Sequence, residues 1–154
     1  MSPIQLELPG GPTPFHSLVL DFTGTLSMDG ELLPGVAERL RQLAEILDVV
    51  VVTADTFGTA REALAGLPLE IGLISDGVEK AAAVAKMDPE GVIAVGNGRN
   101  DVAMMGVAGL GIAVLGPEGA PSSLLAAADI VTRDIRDALD LVLHPLRLKA
   151  TLRD

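Results

Sequence analysis

The sequence has no cysteine, few cations and no long apolar run, and each shortage removes a class of protein. Without cysteine there is neither a disulfide framework nor a thiolate metal site, and the absence leans toward a reducing compartment, so cytoplasmic residence is expected. Eleven lysines and arginines stand against 21 aspartates and glutamates, giving a formal net charge of −10 with the cations scattered along the chain. Such a surface repels a phosphate backbone, and nucleic acid is not an expected partner. No stretch nears the roughly 18 consecutive apolar residues of a spanning helix. The opening MSPIQLELPGGPTPF also lacks the basic start and apolar run of an export signal. No membrane association is expected. His16 and His144 have no carboxylate or second histidine at ligand spacing, so neither is assigned a role.

What is present reads as a single domain of 154 residues, 49% apolar, large enough to bury a core without staples. After the Pro/Gly-rich segment at 9–14, the apolar run SLVLDF stops at TGT, a buried strand ending in a tight turn with Asp21 at its carboxyl end. A turn-rich excursion, SMDGELLPG, leads to a helix whose apolar face is Val36, Leu40, Leu43 and Leu47. Strand DVVVVT follows, and the alternation continues through TAREALAG, LEIGLIS, VEKAAAVAKM, GVIAVG, NDVAMMGVA, LGIAVL, PSSLLAAA, DIVT and IRDALDLVL. The strands are short continuous Val/Ile/Leu runs, as required when both faces of a parallel sheet are covered. The expected fold is α/β, a doubly wound parallel sheet in three α/β/α layers. Residues 17–145 form the expected core domain, with 1–16 an N-terminal extension and 146–154 a C-terminal tail, both flexible in appearance.

Ligands of such sheets bind beyond the carboxyl ends of the strands. Those ends carry Asp21, Thr23 and Thr25, then Thr53 and Asp55, then Ser75 and Asp76 leading into Lys80, and finally Gly96, Asn97, Gly98 and Asp101. Taken singly, each has a plainer reading: a strand-end Asp is commonly a turn former, Thr suits a Val-rich strand, and Asn100 and Asp101 lie where helix caps belong. Lys80 is less easily dismissed, because a cation in the first turn of a helix opposes the helix dipole. Together they suit phosphoryl transfer to a carboxylate, which needs a rigidly held aspartate and cations to quiet the repulsion between two anions. Asp21 is then the nucleophile. Gly24 lets backbone amides approach phosphate, Thr53 and Lys80 hold its oxygens, and magnesium bridges Asp21 to the phosphate with Asp101 as a second carboxylate, direct or through water.

The string DFTGTL at 21–26 resembles the D-x-[DT]-G-T signature of the haloacid dehalogenase superfamily, and in particular the DKTGT of the phosphorylation domain of P-type ATPases. TAD at 53–55 is similar to their TGD, Lys80 falls at their third-motif lysine, and GNGRNDVAMM at 96–105 resembles GDGxNDxxAL. The likeness covers most of residues 17–132. It implies a magnesium-dependent phosphohydrolase acting on a phosphorylated substrate through an aspartyl-phosphate. Catalysis would fall to Asp21, Thr53 and Lys80, phosphate contacts to Thr23, Gly24, Thr53, Ala54, Lys80 and Asn100, and metal ligation to Asp21, Thr23, Asn97 and Asp101.

Two positions depart from that pattern. Thr23 stands where most phosphatases of the superfamily place a second aspartate as general acid and base, so an aspartyl-phosphate should break down slowly. Asn97 replaces a usual magnesium-binding aspartate and brings no charge, which weakens metal affinity. They sustain an alternative reading, a regulatory module that binds phosphate or magnesium without useful turnover. A receiver domain shares the ordered Asp, Thr and Lys but needs an acidic pair at its first strand and makes no use of GNGRND. Only 26 residues separate DFTGTL from TAD, which excludes an ion pump's nucleotide-binding domain and leaves no room for a cap. The site is expected to be open, to a macromolecular substrate or to a neighbouring subunit, and the apolar last helix with HPLRL offers a surface for a homo-oligomer.

Overall fold

The computed structural model describes residues 2–154. It begins with an antiparallel hairpin, β1 (Ile4–Leu8) and β2 (Gly11–Phe15), turned at Pro9 and Gly10. The expected α/β alternation follows: β3 (Ser17–Asp21), a two-rung hairpin of β4 (Ser27–Met28) and β5 (Glu31–Leu32), α1 (Val36–Ala44), β6 (Asp48–Thr53), α2 (Thr59–Ala63), β7 (Glu70–Leu73) and α3 (Gly77–Ala85). The second half runs β8 (Val92–Gly96), α4 (Val102–Val107), β9 (Leu110–Val114), α5 (Ser122–Ala127), β10 (Ile130–Thr132), α6 (Ile135–Leu143) and α7 (Pro145–Leu152). Short 3-10 turns precede β8 and α4.

Strands β3 and β6–β10 form one parallel sheet in the order β10-β9-β8-β3-β6-β7. The chain builds outward from β3 through β6 to β7, then crosses back to β8 on the other side of β3. The topological switch therefore falls at β3, where connections leaving in opposite directions open a crevice above the strand ends.

Strands β3, β8 and β9 are buried along their whole length, so their continuous apolar runs feed two cores. Leu18 and Leu20 of β3, Ile93 and Val95 of β8, and Ile112 and Val114 of β9 pack with α1, α6 and α7. Val19, Ala94 and Ala113, from the alternate positions, pack with Val84 of α3, Met104 and Met105 of α4 and Leu124 of α5. The smaller strand residues on this second face admit α4 closely; a Cβ at Gly111 would meet Met105 Sδ at 2.7 Å. Three layers result, as the sequence predicts.

The opening and closing segments are ordered, contrary to their flexible appearance in sequence. Leu6, Phe15 and Leu148 are fully buried in the larger core, and α7 lies against β1. The Leu148→Ala variant is therefore expected to lose about 2–4 kcal/mol of unfolding free energy by chemical denaturation, the cost of a cavity in a packed core; a loss near zero would mean that α7 is not part of that core.

Candidate active site

Asp21 ends β3 with its carboxylate in a cleft of about 610 Å³ above the sheet's carboxyl edge. The chain turns beneath it because the amides of Thr25, Leu26 and Ser27 all converge on the Phe22 carbonyl, at 3.0–3.2 Å. Gly24 allows that turn twice over. Its φ of 74° is left-handed, and a Cβ there would lie 2.6 Å from both Asn97 Nδ2 and Glu118 Oε1.

Lys80 reaches the same point from the first turn of α3, whose amino end is capped by Asp76 accepting from the Glu79 amide at 2.8 Å. Its side chain is 2% exposed, and the ammonium donates to Asp21 Oδ1 at 3.0 Å and Asp101 Oδ1 at 2.9 Å. Burial disfavours the Lys80 charge, but the two carboxylates outweigh it and hold its pKa above the ordinary lysine value. An ammonium has three donors, so one remains for a ligand. Burial, reinforced by the Asp101 charge and only partly opposed by Lys80, pushes the Asp21 carboxyl up to about 6.

Asp101 is fully buried, and its second oxygen accepts the amides of Asn97 at 3.2 Å and Gly98 at 3.1 Å. Both of its oxygens are thus engaged, and it lies beneath the cleft rather than on its wall. Gly96 makes room for it, since a Cβ there would land on the Asp101 carboxylate. Thr53, at the end of β6, lines the cleft beside Ala54 while its hydroxyl accepts the Asp55 amide at 3.2 Å. Thr23, Asn97 and Asn100 complete the predicted set on the cleft wall. The structure therefore gathers Asp21, Thr23, Thr53, Ala54, Lys80, Asn97 and Asn100 around one opening, with Gly24 and Asp101 supporting it.

Two residues without a role in the sequence reading belong here. Thr25 is fully buried, with Oγ1 3.3 Å from Asp21 Oδ2 and 3.0 Å from Asn97 Oδ1. It ties the carboxylate to a loop 72 residues later; the signal for it was the second threonine of DFTGT. Glu118, in the loop between β9 and α5, lines the cleft next to Gly24. Its signal was an acid in GPEG, again just past a strand end. Asp55 was read as part of the motif; its carboxylate accepts the Ala60 amide at 2.7 Å and Arg61 Nε at 3.1 Å, so it fastens its own loop.

Asp21 Oδ2 and Asn97 Oδ1 face the same hydroxyl, leaving a carboxylate and an amide oxygen side by side at the cleft floor. These are hard oxygen donors, and the described residues hold no cluster of three or more His, Asp or Glu arranged for a metal. Such a set suits a hard divalent cation that keeps several waters, as magnesium does, better than zinc.

A family model for haloacid dehalogenase-like hydrolases matches residues 20–140, and the chain belongs to that family. An uncharacterised protein of Methanocaldococcus jannaschii is 56% identical over 63 residues, 41% of this chain and 68% of the relative. The fold is similar to the 3-deoxy-D-manno-octulosonate 8-phosphate phosphatase of Moraxella catarrhalis, solved with magnesium, phosphate and the sugar acid, at a TM-score of 0.66 and 16% identity over 89% of this chain and 90% of that one. It is also similar to the catalytic domain of the CPx-ATPase CopB-B, at 0.60 and 22% over 72% of this chain and 45% of that one. At these identities the structural likenesses establish the fold. No helix among the described residues is long and apolar enough to cross a membrane.

Two buried carboxylates share one ammonium, so ionised Asp21 costs stability. Because its folded pKa lies above the ordinary 3.8, that cost is complete above pH 6 and fades as pH falls toward 4. Asp21→Asn is expected to stabilise the chelator-treated protein at pH 7.5 by on the order of 1–3 kcal/mol, several degrees in Tm, with a smaller gain at pH 5. Equal gains at both pH values would show that the Asp21 charge is not the cause.

Proposed function

We propose that the protein is a magnesium-dependent phosphohydrolase that works through an aspartyl-phosphate at Asp21. The observation that carries this reading is the buried Asp21–Lys80–Asp101 array beside Thr53 at the topological switch of the sheet. An Asp21 carboxylate oxygen attacks phosphorus, the bond from phosphorus to the leaving oxygen breaks, and the departing oxyanion takes a proton from water. Water then attacks phosphorus, the acyl phosphate bond breaks, inorganic phosphate leaves and the Asp21 carboxylate is restored.

The free hydrogen of Lys80 and the Thr53 hydroxyl hold phosphoryl oxygens, while the turn at Gly24 and the groups at Ala54 and Asn100 line their approach. Asp101 acts indirectly, positioning Lys80 and the backbone at Asn97 and Gly98. Asp21, Asn97 and the Thr23 carbonyl would hold magnesium, which supplies positive charge against the anionic phosphoryl group. The octulosonate phosphate phosphatase of similar fold was solved with this ion. Absence of cysteine fits a cytoplasmic setting.

Thr23 on the cleft wall keeps a second reading alive, a regulatory module that binds phosphate with little turnover. Hydrolysis of p-nitrophenyl phosphate with magnesium separates the two. Asp21→Asn is expected to lower turnover at least a hundredfold, and Thr23→Asp to raise it about tenfold or more by supplying a general acid and base. Turnover absent from the natural protein but present in Thr23→Asp would favour the module.

A further inference from the structure

The wall of the cleft constrains what the phosphoryl group is carried on. Among the described residues, Lys80 is the one cation that borders the cleft, and its ammonium is already shared by two carboxylates. Arg61 and Arg99 flank lining segments in sequence, yet neither borders the cleft, and Arg61 is spent on Asp55. A second anionic group on a substrate would therefore find no further cationic side chain on this wall.

It would find negative ones. Asp29, at the tip of the β4–β5 hairpin, and Glu118 both line the cleft and are exposed, and neither takes part in an ion pair among the described residues. The same wall carries Phe57, 93% exposed and the most exposed large apolar side chain described. Its loop is not loose: Asp55, at a left-handed φ of 45°, accepts the Gly58 amide at 3.0 Å through its carbonyl and the Ala60 amide through its carboxylate. A phenylalanine held outward by a fastened loop gains by being covered when a ligand is present. Thr23 adds a chemical bias. With no proton donor at that position, a leaving oxygen stable as an anion, such as a phenol's, departs most readily.

We infer that the cleft selects phosphomonoesters with a flat, apolar leaving group and no second anion, Phe57 lying against that group while Asp29 and Glu118 repel carboxylates and further phosphates. This rests on the phosphohydrolase reading and deepens it. Aryl phosphates are favoured, and phosphorylated sugar acids and nucleoside triphosphates are disfavoured, whatever related folds accept.

The test measures binding by calorimetry in magnesium, using phenylphosphonate, 4-carboxyphenylphosphonate and methylphosphonate, with turnover of phenyl phosphate assayed alongside. The carboxylated ligand is expected to bind about tenfold more weakly than phenylphosphonate at low salt. That gap should close in the double variant Asp29→Asn, Glu118→Gln. Phe57→Ala should weaken phenylphosphonate about fivefold and leave methylphosphonate unchanged. Equal binding of the two aryl ligands, or an indifferent Phe57→Ala, overturns the inference even where phenyl phosphate is hydrolysed. Discrimination without turnover upholds the ligand preference and removes the hydrolase reading. Binding of none of the ligands overturns the inference, and absence of phenyl phosphate turnover as well removes the hydrolase reading.

Discussion

An ammonium can stay buried only while its counter-charges stay with it, and the site depends on Lys80 being held between Asp21 and Asp101. The three groups come from the end of β3, the first turn of α3 and the turn before α4. Removing Lys80 would leave two carboxylates facing each other out of water, and removing Asp101 would leave the ammonium with Asp21 alone and free the amides at Asn97 and Gly98. The array nevertheless carries one negative charge too many, which raises the Asp21 carboxyl. The protein thus holds an electrostatic deficit of the kind that a bound cation would relieve, a common relation between a charged site and the fold that carries it.

The sheet brings these charges together with little freedom to spare. β3 lies between β6 and β8, so Asp21 and Asn97 emerge on adjacent strand ends, and Thr25 spans the gap. Backbone positions without side chains make the approach possible: Gly24 lies under Asn97 and Glu118, and Gly96 under Asp101. The inferred leaving-group preference rests on loops at the cleft's rim, namely the β4–β5 hairpin, the fastened loop at 55–58 and the turn at 116–119.

Alternation of short Val/Ile/Leu runs with amphipathic stretches made the sheet readable, and reading strand ends in order brought Asp21, Thr53 and Lys80 to one place. Asp101 was half legible. It looked like a helix cap, and one of its oxygens does take two amides as a cap would, but the other holds Lys80, which sequence spacing does not reveal. Thr25 and Glu118 act across the fold, on partners that only the sheet order brings near. The opening segment was misread because its glycines and prolines suggest a breaker. In fact Gly11, at a φ of 112°, begins β2, and Pro12 and Pro14 lie in a two-stranded ribbon where a missing amide is tolerated. The tail's Leu148 and Leu152 are one helical turn apart and turn toward the core, a pair too short to register as a periodic face.

The central position of β3 also sets an order of events. Leu18 pairs beside Val49 on one side and Ile93 on the other, so the strand has both neighbours only after two long crossovers have closed. Such distant pairings form slowly, because the entropy of closing each loop is spent before the contacts return it. The Lys80 array spans three of the segments that those crossovers bring together, so it can be complete only once they have closed. Interactions absent from the folding transition state act on the escape rate from the native state. A ligand that neutralises the array would therefore lengthen the lifetime of the folded protein while scarcely altering how fast it folds.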